Sequence, residues 1–94
     1  MSDSKTVRVR IEGRVQGVWF RGWVVEEAQA RGLAGWVRNR RDGCVEALFS
    51  GLTERVDDMV RACGHGPSTA QVSNVDVSPA SAPDGAEFRQ IATL

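Results

Sequence analysis

The chain has 94 residues and a formal net charge of zero, from 12 basic and 12 acidic side chains. Its 41% hydrophobic and 26% charged residues predict one globular domain spanning residues 1–94, and the balanced charge argues against a nucleic-acid partner, which usually requires excess Lys and Arg. Because no apolar run reaches the roughly 18 residues of a membrane span and no signal segment is visible, we expect a cytoplasmic protein with no membrane partner.

The first third of the chain predicts a strand, a loop and a helix. Residues 1–5 are polar, and we expect them to be disordered. Apolar and charged residues alternate over residues 7–11, which is the period of a half-buried strand. After a glycine-containing loop at residues 13–20, apolar positions recur at helical spacing over residues 21–31, and Gly32 is placed to end that helix.

The middle of the chain predicts a hairpin and a second helix. A strand beginning at Gly35 leads into 39-NRRDG-43, a polar run typical of a tight turn, and residues 45–50 then alternate as a third strand. Thr53 is placed to cap a second helix, which we expect to end at Gly64.

The last third completes the fold. Residues 72–77 indicate a fourth strand with a phase slip typical of a β-bulge, and Phe88 and Ile91 indicate a return to a sheet edge. The order β-α-β-β-α-β predicts an α+β fold, the ferredoxin-like βαββαβ sandwich, with a four-stranded antiparallel sheet and two helices on one face.

The segment 13-GRVQGVWFRG-22 joins the first strand to the first helix. A loop of this kind exposes successive backbone N–H groups at the positive end of a helix, which favours an anion, and Arg21 adds a cation there. The alternative for Arg21 is a surface arginine paired with a helix Glu. Asn39 ends the second strand and is either a turn former or an amide that orients water near the loop.

Two segments together carry a family resemblance. The segments 13-GRVQGVWFR-21 and 32-GLAGWVRNRRDGCVE-46 resemble the acylphosphatase family in order and separation. Gly51, 66-GP-67, 70-AQVSNVDV-77 and Phe88 fit the remainder of the pattern, so the similarity extends over nearly the whole chain.

The resemblance implies hydrolysis of acyl phosphates with no metal and no cofactor. We expect a monomer, because no heptad repeat or long apolar edge is visible in the sequence. It implies that Arg21 clamps the phosphate and that Asn39 positions the attacking water. The phosphate-binding loop would comprise Val15, Gln16, Gly17, Val18, Trp19 and Phe20. Trp19 and Gly22 depart from the usual family residues, so we expect effects on substrate access and on the first helical turn.

The cysteines, the histidine and the remaining arginines need no role in catalysis, and two other protein classes remain as alternatives. Cys44 and Cys63 are expected to be reduced thiols, and His65 a solvent-facing loop residue. The arginines around Asn39 form either a solvated hairpin or a surface that steers anions. An RNA-binding domain shares the predicted fold order, but residues 44–50 lack its aromatic pattern. A related domain within a larger carbamoyl-transfer protein is a further alternative.

Overall fold

The computed structural model describes residues 3–94. They form two layers, a five-stranded sheet and a pair of helices packed against it. The elements are β1 (Ser4–Arg14), α1 (Phe20–Ala30), β2 (Ala34–Asn39), β3 (Val45–Leu52), α2 (Thr53–Cys63), β4 (Gln71–Pro79) and β5 (Phe88–Gln90). The sheet order is β4-β1-β3-β2-β5. The predicted ferredoxin-like fold is therefore confirmed, with β1 and β3 in the centre. Within residues 3–94, neither helix is long and apolar enough to span a membrane.

The sheet differs from the prediction in having a fifth strand. Phe88 returns to the edge as expected, but β5 runs parallel to β2, with Phe88 opposite Gly35, so a wholly antiparallel sheet of four strands was wrong. The segment after β4 crosses from one edge of the sheet to the other. A strand of three residues carries too little alternation for its direction to be predicted.

The expected disorder of residues 1–5 was wrong for Ser4 and Lys5. Both belong to β1 and lie opposite Leu52 and Gly51 of β3. Lys5 Nζ also forms an ion pair with Asp57 of α2, which helps to hold this strand end in place. Residues 1–2 lie outside the described residues.

Both helices cover the same face of the sheet, because the inward side chains of β1 and β3 match the apolar stripes of the helices. The register places Val7 opposite Phe49 and Val9 opposite Ala47, and all four side chains are buried. The helices contribute Phe20, Val24, Ala28, Val56, Met59 and Cys63 to this core. The opposite sheet face, which we call the open face, carries no helix among residues 3–94.

The predicted end of α1 is confirmed, but the predicted cap of α2 is wrong. Gly32 has φ +67° and donates to Gln29 O, while Leu33 N–H reaches Ala28 O, so the predicted glycine end of α1 is confirmed. Thr53 is the first residue of α2, not its cap, and no side-chain cap bond forms there. Its N–H donates to Asp3 O at 2.7 Å, so β3 passes directly into the helix.

A β-bulge shapes the start of the loop after β1. The register with β4 shifts between Glu12 and Gly13, which confirms the predicted slip. Gly13 has φ +126°, and a Cβ there would overlap the carbonyl oxygen of Gln71. Only glycine therefore allows the close approach of β1 and β4 at this bulge.

Candidate functional site

A cleft of about 220 Å³ opens where the loop after β1 meets the end of β2 and β5. Because β1 and β2 both pair antiparallel with β3, they run in the same direction and their C-terminal ends lie at the same end of the sheet. Arg21 and Asn39 therefore line one cleft although 17 residues separate them in sequence. The full lining is Val15, Gly17, Trp19, Phe20, Arg21, Gly22, Asn39 and Gln90.

Arg21 lies in the first turn of α1, half-buried at the positive end of the helix dipole. Within residues 3–94 its guanidinium has no hydrogen bond or ion pair, so the alternative pairing with a helix Glu is not observed. The first turn of α1 contains no acidic residue. A cation at a helix N-terminus without acidic neighbours is electrostatically unfavourable unless an anion binds there.

The loop between β1 and α1 is anchored at both ends and keeps its amides free. Val15 and Phe20 are each 1% exposed in the core. Gly17 and Trp19, between them, have φ +74° and +64°. Within residues 3–94, no backbone N–H of residues 16–19 donates a hydrogen bond to another group. Left-handed residues this close together produce the concave backbone that binds anions in other proteins.

Two residues of the predicted loop do not line the cleft. Gln16 Nε2 donates to Arg40 O at 2.7 Å and to Cys44 O at 2.9 Å, so its side chain ties the loop to the β2–β3 hairpin. Val18 packs against the core, and its carbonyl accepts a bond from Thr69 Oγ1 at 2.9 Å. These contacts hold the loop from both sides.

Asn39 presents an unsatisfied oxygen to the cleft region. Its Oδ1 is buried and has no hydrogen-bond partner among residues 3–94. Its backbone is fixed, because Leu94 N–H donates to Asn39 O at 3.1 Å and Arg41 N–H donates to Leu94 O at 2.9 Å. A buried carbonyl oxygen without a partner is costly, and water is the usual group that satisfies it.

The side chains of Arg38 and Arg40, on either side of Asn39, lie on the open face of the sheet and not in the cleft. Arg38 Nε and Arg40 Nη1 donate to Glu46 Oε1 at 2.7 and 3.1 Å, while Arg8 Nε lies 3.5 Å from Oε2. Burial alone would raise the pKa of Glu46, but the hydrogen bonds from Arg38 and Arg40 outweigh it and the net pKa is lowered. Arg41 is exposed and has no ion pair among residues 3–94.

Gln90 is a cleft residue that the sequence analysis missed. It enters the cleft because β5 pairs with β2 and places Gln90 opposite Val37. The sequence signal for this strand rested on Phe88 and Ile91, and neither indicates that Gln90 is a functional residue.

The remaining reactive side chains lie away from this cleft. Burial raises the pKa of the Cys44 thiol to about 11 and that of Cys63 to about 12, and both are free thiols. His65 is exposed in the loop after α2, as expected. Within residues 3–94 no group of three or more His, Cys, Asp or Glu side chains is arranged to hold a metal ion.

A larger depression offers no better site for an anion. It measures about 530 Å³ and is lined by Asp3, Leu52, Thr53 and Glu54. The two carboxylates would repel a negatively charged ligand, whereas the smaller cleft carries Arg21, a cation with no ion pair within the described part of the chain.

Comparisons with known proteins all point to one family. A family model described as Acylphosphatase matches residues 7–90. The chain is 56% identical over 90 residues to an acylphosphatase of Rhodospirillum rubrum, covering 96% of this chain and 99% of that protein. The structure matches an acylphosphatase from Coxiella burnetii with a TM-score of 0.90 and 32% identity, over 95% and 94% of the two chains. An acylphosphatase from Bacillus subtilis matches with a TM-score of 0.85 and 38% identity, over 92% and 97%.

Proposed function

The chain belongs to the acylphosphatase family of hydrolases, and we propose that it hydrolyses the carboxyl–phosphate bond of small acyl phosphates without a metal or cofactor. Arg21 and the backbone N–H groups of residues 15–20 bind the phosphate, and Asn39 positions the attacking water. The observation that carries this assignment is that one cleft is lined by a guanidinium and a buried amide oxygen that both lack a partner among residues 3–94.

The charge in the cleft suits a phosphoryl group. The Arg21 guanidinium can present two parallel N–H donors, and the amides of residues 16–19 have no competing partners among residues 3–94. The positive end of α1 adds to the same field. Together they would stabilise the negative charge on the three outer oxygens of the phosphate as the bond to the acyl group breaks.

The reaction needs little other machinery. Water oxygen bonds to phosphorus as the bond between phosphorus and the acyl oxygen breaks, and that electron pair leaves on the carboxylate. The conjugate acid of a carboxylate has a pKa of about 4, so the leaving group departs without being protonated. One water proton passes to the phosphate product. A titrating base is therefore unnecessary, and Asn39 Oδ1 would orient the water by accepting one hydrogen bond from it.

The test is the hydrolysis of benzoyl phosphate by the parent chain and by Arg21→Ala, in the presence of EDTA. We expect metal-independent turnover, with kcat/KM lower by about two to three orders of magnitude in the variant. Arg61→Ala is the matched control, because it removes one exposed arginine of α2 that does not line the cleft. An unchanged kcat/KM in Arg21→Ala, or loss of turnover with EDTA, would contradict the proposal.

We also propose that residues 1–94 form a single domain that acts as a monomer in the cytoplasm. The two free, buried thiols are compatible with a reducing compartment. Light scattering after size exclusion tests the oligomeric state directly.

A further inference from the structure

Trp19, at the edge of the cleft, is unusual in its exposure and in its backbone conformation. It is 60% exposed, although it is the largest apolar side chain in the loop. Its φ of +64° is the only positive value of a non-glycine residue among residues 3–94. Side chains with a Cβ disfavour that conformation, and such strain is concentrated at functional sites.

Gly22 provides the space in which the indole lies. A Cβ on Gly22 would approach Trp19 Cε2 to 2.6 Å and Cδ1 to 2.9 Å, so the flat ring covers the Gly22 backbone directly. Gly22 is inside a helix, where glycine is less favourable than alanine. The strained conformation of Trp19 and the helical glycine therefore belong to one arrangement, which seats the indole on Gly22, the residue after Arg21.

We propose that the Trp19 indole, seated on Gly22, forms one wall of the subsite for the acyl group and gives the enzyme a preference for flat, apolar acyl groups. This inference rests on the proposed function. With the phosphate held by Arg21, the acyl group must project from the cleft, and Trp19 and Arg21 line the same cleft. An exposed aromatic face binds a planar group by stacking, whereas an acetyl group offers it little surface.

The test is a double-mutant cycle with Trp19→Gly and Gly22→Ala. The readout is the ratio of kcat/KM for benzoyl phosphate to kcat/KM for acetyl phosphate. Glycine adopts φ +64° without strain and alanine favours the helix, so both variants are compatible with the backbone. We expect Trp19→Gly to lower the ratio about tenfold, equivalent to about 1.4 kcal/mol. Gly22→Ala should lower it in the same direction, by displacing the ring, and should have no further effect when Trp19 is already Gly.

Trp36→Leu is the matched control, because it removes an indole from the open face, where Trp36 lies beside Arg38. Its ratio should stay within about twofold of the parent's. A ratio unchanged in Trp19→Gly, or a Gly22→Ala effect that persists without the indole, overturns this inference while leaving the hydrolase assignment intact. A folded parent that hydrolyses neither substrate overturns both.

Discussion

The side-chain amide of Gln16 lies 2.7 Å from the carbonyl oxygen of Arg40, the residue that follows Asn39. The same nitrogen is 2.9 Å from Cys44 O, so one side chain bridges both ends of the hairpin turn. The loop that carries the free amides and the strand end that carries Asn39 are thereby joined directly. We expect the Gln16 side chain to position the loop and Asn39, while its backbone N–H remains one of the proposed phosphate donors.

Gln16→Leu should lower kcat about tenfold and change KM less, because it misplaces Asn39 while leaving Arg21 in the cleft. Unfolding free energy should fall by about 1–2 kcal/mol, since two carbonyls lose their donor. Gln29→Leu is the matched control: Gln29 donates to Phe88 O at 3.3 Å, and Gln29 does not line the cleft. Equal effects of the two variants on kcat would show that Gln16 is only a structural residue.

Asn39→Ala should lower kcat by about two orders of magnitude while inorganic phosphate still inhibits with a similar constant. The reason is that Asn39 Oδ1 has no partner in the described structure and can accept from water, while the amide carries no positive charge for the phosphate. Steady-state kinetics with phosphate as a product inhibitor separate the two effects. A loss of phosphate affinity as large as that in Arg21→Ala would contradict the water-positioning role.

Arg21→Lys should remain within about tenfold of Arg21→Ala in kcat/KM, because an ammonium cannot reproduce two parallel donors on a planar group. The measurement is benzoyl phosphate hydrolysis by the three proteins at one ionic strength. Near-parental activity in Arg21→Lys would mean that charge alone, and not the bidentate geometry, is what the cleft uses.

The sequence predicted the framework of the molecule because its patterns are local. Alternation in β1 and β3, the Asp-Gly turn and Gly32 each determine structure within a few residues, and the motif residues Arg21 and Asn39 lie in the predicted elements. Thr53 was assigned wrongly because a helix can follow a strand without a capping side chain when a neighbouring backbone, here Asp3 O, accepts its first N–H.

The missed parts of the site depend on contacts between distant segments. Gln90 reaches the cleft only through the parallel pairing of β5 with β2. The bonds from Gln16 cross 24 and 28 residues of chain. Trp19 and Gly22 looked like two separate departures from the family pattern, and only the three-dimensional contact shows that they form one arrangement.

The arginines near Asn39 should contribute little to substrate attraction. Arg38 and Arg40 are paired with Glu46 on the open face, which leaves Arg41 as the exposed cation of the hairpin. We expect Arg41→Ala to change kcat/KM by less than about threefold at low salt, and by less at high salt. Kinetics over a range of NaCl concentrations measure this, and a tenfold loss at low salt would restore the steering role.

Glu46 should make stability dependent on acid pH. Its side chain is 5% exposed and its pKa is lowered from 4.5 in the folded state, despite burial, by Arg38 and Arg40. The unfolded chain therefore binds this proton more tightly, so the stabilisation is complete above about pH 4.5 and is lost as the pH falls through the folded pKa. We expect Glu46→Gln to lower unfolding free energy by about 1–3 kcal/mol at pH 7.

The difference between the parent and Glu46→Gln should shrink in urea unfolding experiments as the pH is lowered from 7 toward 3, because the parent then loses the same charge. Glu26→Gln, on the exposed side of α1, reports the effect of net charge alone. A difference that stays constant over this range would mean that the arginines hold Glu46 through packing and neutral hydrogen bonds. The ion pairs of Glu46 with Arg38 and Arg40 would then not stabilise the β2–β3 hairpin through their charge.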